Sequence, residues 1–293
     1  MKAKISLKEF LFAIFFYLVF VFFLDFFVGF LINRANLPKS TGFFDLFVVY
    51  SVLVTVVLLV LYKLFTKKKY SELGIKKLKK EDFSLSIKVF FMLFPIAFIS
   101  RILDPTFDLY FLESFGLLSV SSVLIFTLYL PFFAIKEEIY ERSFFQGIFS
   151  KGYSSIIAPA LIAINFAIAH YYNTGNPVHT LNVVLSVLIG TYLIALVFEK
   201  TRNIFASIMT HLIYNIFIIF QIYLHVSGFV LFEIIFWIIW GILFLAFLQK
   251  TIKELRILFL IKIKDLNYLD WLYILGFGII IPIIVLLILE SLV

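Results

Sequence analysis

The chain has 293 residues, a length that two soluble domains would have, but 63% of them are hydrophobic, 15% are charged and the mean hydropathy is +1.10. Apolar runs of about 20 residues recur from end to end, each long enough to cross a hydrocarbon core roughly 30 Å thick. There is no cysteine, which excludes disulfides, thiolate catalysis, iron–sulfur clusters and Cys-type zinc sites, and the net charge of +7 comes from Lys and Arg in short loops between apolar runs, so it speaks for lipid headgroups and orientation and against nucleic acid.

The composition predicts an all-α, polytopic transmembrane helix bundle of about eight to nine membrane helices, because only helices and closed barrels span lipid and uninterrupted apolar runs lack barrel alternation. In chain order the candidate helices cover 10–32, 44–65, 84–103, 117–150, 154–172, 180–199, 203–224, 227–248 and 270–290. The first, Phe10 to Ile32, is too long for a signal-peptide core and no small-residue cleavage site follows it, so it is kept as a span. Asp25 within it is a lone intramembrane acid, read as structural. The polar connection Thr66 to Asp82 holds Lys67, Lys68, Lys69, Lys76, Lys77, Lys79 and Lys80, the mark of a cytoplasmic loop. Alternate connections are basic in the same way, at the N-terminus, the Lys151 turn, the Lys200–Arg202 turn and 249–268, which places the N-terminus inside. The mixed segment Gln249 to Asp270 reads as an interfacial amphipathic helix. The chain is thus read as a single membrane domain, 1–293, of a multi-pass protein of the cell membrane. In it 117–224 carries the polar motifs, and 1–116 and 225–293 supply flanking spans.

The stretch Lys136-Glu137-Glu138-Ile139-Tyr140-Glu141-Arg142 places three carboxylates and two cations at the end of the apolar run Leu117 to Phe133. Charge is costly there unless it is paired or faces a cavity, so the cluster is a functional hypothesis by default. Residues four apart share a helical face, which pairs Glu138 with Arg142 and leaves Glu137, turned by about 100°, aimed elsewhere. The plain reading is an ion-pair network snorkelling to water at a helix end. Depth argues otherwise. If Lys151 to Tyr153 is a turn, Glu137 and His170 stand roughly 22 and 27 Å from it on neighbouring antiparallel helices, at similar heights. His211 and Asn215, also four apart, face one side of another helix. Two His, a Glu and an Asn converging in a membrane supply what water-mediated hydrolysis needs, a carboxylate–imidazole pair to take a proton from water and donors for an oxyanion. No Ser or Cys nucleophile sits beside a base. His179 and His225 lie in or beside loops and receive no role.

At these residues the chain resembles the CPBP family of intramembrane proteases, which includes type II CAAX prenyl endopeptidases and bacteriocin-processing or self-immunity proteins. Glu137-Glu138-x-x-x-Arg142 resembles the family's EExxxR, Phe166-x-x-x-His170 its FxxxH and His211-x-x-x-Asn215 its HxxxN, in that order, and the run Glu199 to His211 has the look of the approach to the third motif. The resemblance covers about residues 117–224. It implies that Glu137 and His170 activate a water for attack on a peptide carbonyl, that His211 and Asn215 stabilise the transition state, and that Glu138 and Arg142 support them. The implied substrate is a prenylated CAAX-type or other membrane-associated peptide, with membrane lipids as further partners. No cofactor is expected; the alternative is a zinc ion on Glu137, His170 and His211, against which stands the lack of an HExxH motif. The rival functions are a non-catalytic membrane scaffold or bacteriocin self-immunity protein, and a proton-coupled transporter using Glu and His as a relay. One tension attends the reading. The charge bias puts the Lys151 turn inside, and the height argument then lifts the Glu137–His170 pair toward the outer half of the membrane.

Overall fold

A computed structural model describes residues 42–67, 69–104, 119–152, 155–170 and 176–259. All regular structure among them is helical, as backbone that must satisfy itself within lipid requires. Helix α1 spans Gly42–Thr66, α2 Lys80–Met92, α3 Phe94–Leu103, α4 Val120–Glu138, α5 Gly147–Gly152, α6 Ile157–Ala169, α7 Pro177–Thr201, α8 Ile204–Val226 and α9 Val230–Phe259. A 3₁₀ turn at Tyr70–Leu73 precedes α2, and a π-helical stretch, Ile139–Gln146, joins α4 to α5.

Among the described residues, five stretches are long and apolar enough to cross a membrane: Val48–Thr66, Lys80–Leu103, Pro177–Thr201, Ile204–Val226 and Val230–Arg256. The all-α membrane bundle holds over the described residues, but eight to nine membrane helices are not reached there. The runs 10–32 and 270–290, with Asp25, lie outside the described residues, and the run 154–172 yields only the short apolar helix Ile157–Ile168. Two other expectations need correction. The helix expected over 84–103 breaks at Leu93, because Pro95 has no N–H for the preceding turn and its ring crowds it. No separate amphipathic helix begins at Gln249, since α9 runs unbroken to Phe259 through a stretch with neither Gly nor Pro. Its Glu254 pairs with Lys88 of α2, and Thr251 and Leu255 are buried.

The two ends of the bundle are fixed differently. At the basic-loop end, Asn203 is fully buried between α7 and α8. Its side chain accepts from Phe205 N at 3.1 Å to cap α8, and donates to Asp82 Oδ2 at 2.9 Å and Lys77 O at 3.2 Å. Gly74, at φ 82°, accepts Ile204 N at 2.9 Å, and a Cβ there would stand 2.8 Å from the Phe198 ring. The loop is thereby pinned to the α7–α8 turn. At the opposite end α3 stops, α7 starts, α8 stops and α9 starts. Asn176 and Pro177 open α7 there, Asn176 Oδ1 accepting from Val178 N at 3.0 Å.

Side-chain packing follows from the apolar faces. Leu58 and Tyr62 of α1, Phe144 and Phe145 of the π stretch, Ile162 of α6 and Phe198 of α7 form one core cluster. Phe90 and Leu93 close on Trp240 of α9 in another, with the Phe90 and Trp240 rings stacked at 5.3 Å. Helix α8 runs between α4, α7 and α2. Its polar face is therefore enclosed by the helices that carry the other motifs.

Candidate active site

The EExxxR segment crosses a change of helix type. Helix α4 ends at Glu138 and the backbone continues as a π-helix through Gln146, a rare form that is frequent at functional sites. The wider turn buries seven of its eight residues, among them Glu141, Arg142, Ser143 and Gln146. The stretch is held at its far end by Glu199 of α7. Gln146 donates to Ala195 O at 2.7 Å and to Glu199 Oε2 at 3.2 Å, and Ser150 donates to Glu199 Oε2 at 2.6 Å.

The adjacent carboxylates point apart. Glu138 is 0% exposed, and Arg142 Nε lies 3.3 Å from its Oε2. The Arg142 guanidinium is itself fully buried and faces the Phe166 ring at 5.7 Å. Glu137 retains 24% of its side-chain exposure and lines a cavity of about 460 Å³, which Glu138 does not. One carboxylate is committed to an internal ion pair and the other is presented to open space.

His170, Phe166, His211 and Asn215 line the same cavity. His170 caps α6, and its Nδ1 lies 2.8 Å from Phe166 O. A carbonyl only accepts, so Nδ1 carries the proton and Nε2 keeps its lone pair. The Phe166 ring lies 4.1 Å from the imidazole and fixes its plane. His211 is held by both glutamates, Nδ1 at 2.9 Å from Glu138 Oε1 and Nε2 at 3.8 Å from Glu137 Oε2. Among the described residues no three of His, Asp and Glu converge as ligands for a metal ion.

The depth of the site also differs from the height argument. His211 is seven residues into α8 from the turn at Asn203, about 10 Å, and fifteen from Val226, about 22 Å. Heights taken along straight helices from Lys151 set Glu137 and His170 too far from this end, because the π stretch and α5 pack beside the end of α7, with Ser150 level with Glu199. The four site residues thus lie in the half of the bundle nearest the basic loop.

Sequence reasoning gave no role to a second polar cluster, at the opposite end of the same cavity. Arg101 Nε is 3.5 Å from Glu233 Oε1. His225 Nδ1 faces Glu233 Oε2 at 3.0 Å while its Nε2 lies 2.6 Å from Arg101 Nη2. Buried His179 pairs with Asp104. Asn182 donates to Ser100 O at 3.1 Å, and Gln221 donates to Glu233 Oε1 at 3.3 Å. These residues stand on four helix ends, those of α3, α7, α8 and α9, and no spacing in the sequence links one helix end to another. The one signal was that His179 and His225 each sit near a helix terminus beside an acidic or basic residue of another run.

No curated protein and no solved structure matches the chain. Residues 119–217 match a family model described as type II CAAX prenyl endopeptidase Rce1-like, an interval that begins just before α4 and ends in α8, two residues past Asn215. That segment, about a third of the chain, carries Glu137, Glu138, Arg142, Phe166, His170, His211 and Asn215 and is similar to the Rce1-like type II CAAX prenyl endopeptidase family, in agreement with the resemblance read from its three motifs.

Proposed function

We propose that this integral membrane protein is an intramembrane endopeptidase of the CAAX type, hydrolysing a peptide bond of a prenylated or other membrane-associated peptide with a water activated by Glu137 and His170. The observation that carries the reading is the division between the adjacent carboxylates, with Glu138 locked to Arg142 at 3.3 Å and Glu137 facing a cavity shared with His170, His211 and Asn215. A buried site for a hydrolytic water needs a free base and a separate, neutralised support, and this pattern supplies both.

In this mechanism a water held between Glu137 and the Nε2 lone pair of His170 gives a proton to the carboxylate as its oxygen attacks the scissile carbonyl carbon. The negative charge that develops on the carbonyl oxygen is met by Nε2–H of His211 and by the Asn215 amide, donors aimed at the transition state. His211 can donate from Nε2 while Nδ1–H stays on Glu138 only if both nitrogens carry protons, and the two glutamates beside it balance that charge. The proton on Glu137 then passes to the departing amine, the C–N bond breaks, and a carboxylic acid and an amine leave. No metal takes part in these steps, a reading supported by the lack of a converging ligand set among the described residues.

The site lies in the half of the bundle nearest the lysine-rich loop, which by the positive-inside rule is the cytoplasmic half, so we place the protein in the cell membrane with its site reached from the cytoplasm. The test is cleavage of a fluorogenic farnesylated CAAX peptide by detergent-purified protein, wild type beside Glu137→Ala. Turnover by wild type alone is expected. A folded wild type with no turnover would favour the scaffold or immunity reading, and proton flux driven by a transported substrate would favour the transporter.

A further inference from the structure

The π stretch carries a polar stripe that is separate from the cavity. Glu138, Arg142, Gln146 and Ser150 follow one another at four-residue intervals along one side of the helix, with Ser143 next to Arg142. Each is at most 9% exposed, and none lines the cavity. At the basic-loop end the stripe meets Glu199, buried on α7, which accepts from Gln146 at 3.2 Å and from Ser150 at 2.6 Å and pairs with Arg202, whose side chain is 43% exposed. At the inner end Glu138 holds His211 Nδ1 at 2.9 Å. The stripe therefore runs from the surface of the bundle to the back of the site.

The middle of the stripe is short of protein partners. Arg142 lies 3.3 Å from Glu138 through Nε and over the Phe166 ring at 5.7 Å. Its Nη1 and Nη2 hold the remaining N–H donors of the guanidinium, and among the described residues they meet no acceptor. An aromatic ring answers part of the charge and leaves those donors open. Ser143 Oγ and Gln146 Oε1, the next polar atoms along the stripe, also make no hydrogen bond among the described residues. A fully buried cation with open donors is costly, and one buried water bridges two to four such groups. An anion would be repelled by Glu138 and Glu199 at the two ends. Four residues of helix separate Arg142 from Gln146, about 6 Å, a span that about two waters bridge at roughly 2.8 Å per hydrogen bond.

We propose that the stripe binds a file of internal waters, which joins the basic end of the bundle to the back of the site and replaces the water that each hydrolysis consumes. The place of the waters follows from the open donors; their use rests on the endopeptidase reading above. Each bond cut takes up one water, whose OH leaves in the carboxylic acid and whose second hydrogen leaves in the amine, so a fresh molecule must reach Glu137 in every cycle. A peptide seated over Glu137 and His170 covers the cavity face of the site, and the stripe approaches from the other side. His211 stands at the junction, with Nδ1 2.9 Å from Glu138 and Nε2 3.8 Å from Glu137. Ser143, which none of the three motifs specifies, becomes the hydroxyl that passes water between Gln146 and Arg142.

The experiment uses the full chain in lipid nanodiscs and two readouts, ordered water in an experimental density map and hydrolysis of a farnesylated CAAX peptide. Three proteins are compared: wild type, Ser143→Thr and Ser143→Val. Thr and Val have nearly the same shape and differ in the hydroxyl, so crowding acts on both alike and only the loss of the polar group separates them. Wild type and Ser143→Thr are expected to show water on Arg142 Nη1 or Nη2, on the residue 143 hydroxyl and on Gln146 Oε1. Ser143→Val is expected to lose the water at residue 143 and to turn over about tenfold more slowly than Ser143→Thr, in kcat with KM unchanged, the loss of about one hydrogen bond from the supply of the nucleophile. Guanidinium donors met by protein groups alone in the wild-type map would overturn the file of waters, and peptide cut by that same protein would leave the endopeptidase standing. Equal kcat in the Thr and Val variants, or a loss in Val that lies in KM, would overturn the supply role. Waters in place with no peptide cut by wild type would keep the water site and remove the endopeptidase reading on which its use rests.

Discussion

His211 on α8 rests its Nδ1 on Glu138 at the end of α4, 2.9 Å away, and the other oxygen of that carboxylate lies 3.3 Å from Arg142 in the π stretch. The histidine that faces the cavity is therefore oriented by a glutamate that does not, and the glutamate is anchored by a cation one helical turn further on. Support of this kind fixes the tautomer and the ring plane of a histidine, as it does around metal-bound imidazoles.

Glu137→Gln keeps the shape of the side chain and removes its basicity. Peptide hydrolysis should fall by about 10²–10⁴ in kcat with little change in KM, the range for loss of a positioned general base. The variant should elute as wild type does in size exclusion and unfold at nearly the same temperature, because Glu137 faces the cavity and its ion-pair partner among the described residues is His211 at a loose 3.8 Å. A variant with wild-type turnover would remove Glu137 from the mechanism.

Removal of the buried glutamate has a different signature. Glu138→Ala leaves the fully buried Arg142 guanidinium without its counter-charge and should cost about 3–5 kcal/mol of stability. The double variant Glu138→Gln with Arg142→Met removes both charges and should recover most of that stability, yet stay well below wild-type activity since His211 loses its carboxylate. Thermal unfolding and turnover measured on the same preparations separate the two effects. Recovery of activity along with stability would show that Glu138 acts only as a structural brace.

A zinc chelator, incubated with the purified protein and then removed, should leave the rate unchanged, and added zinc should not raise it. Elemental analysis of the same sample checks the result independently. Loss of activity on chelation with recovery on zinc would return Glu137, His170 and His211 to the role of ligands.

Gly74→Ala tests the junction of the basic loop with the α7–α8 turn. A side chain at φ 82° is strained, and its Cβ would stand 2.8 Å from Phe198 and 3.1 Å from Arg202 O. The loss should be about 1–3 kcal/mol, read as a lower unfolding temperature with turnover per folded molecule preserved. An unchanged unfolding temperature would mean that the loop is not held there.

The sequence by itself determined the class of structure and singled out Glu137, His170, His211 and Asn215, which the fold brings to one cavity. Long uninterrupted apolar runs lack barrel alternation and form helices, the four-residue spacing of Glu138 and Arg142 follows from helical period alone, and the order of the three motifs marked the resemblance to the family. It did not reveal that α4 passes into a π-helix after Glu138, because that change is stabilised by burial against α1, α6 and α7 and not by a local residue signal. Nor did it reveal the link from His211 to Glu138, which joins residues 73 apart in the chain. The depth of the site was misjudged for the same reason, since height along a straight helix is lost once the helix changes type and leans on its neighbours. Arg101, Asp104, His179, His225 and Glu233 looked like scattered charges near loops. Tertiary packing alone gathers them at one end of the bundle, where the cost of burying each charge singly is offset by its partner on another helix.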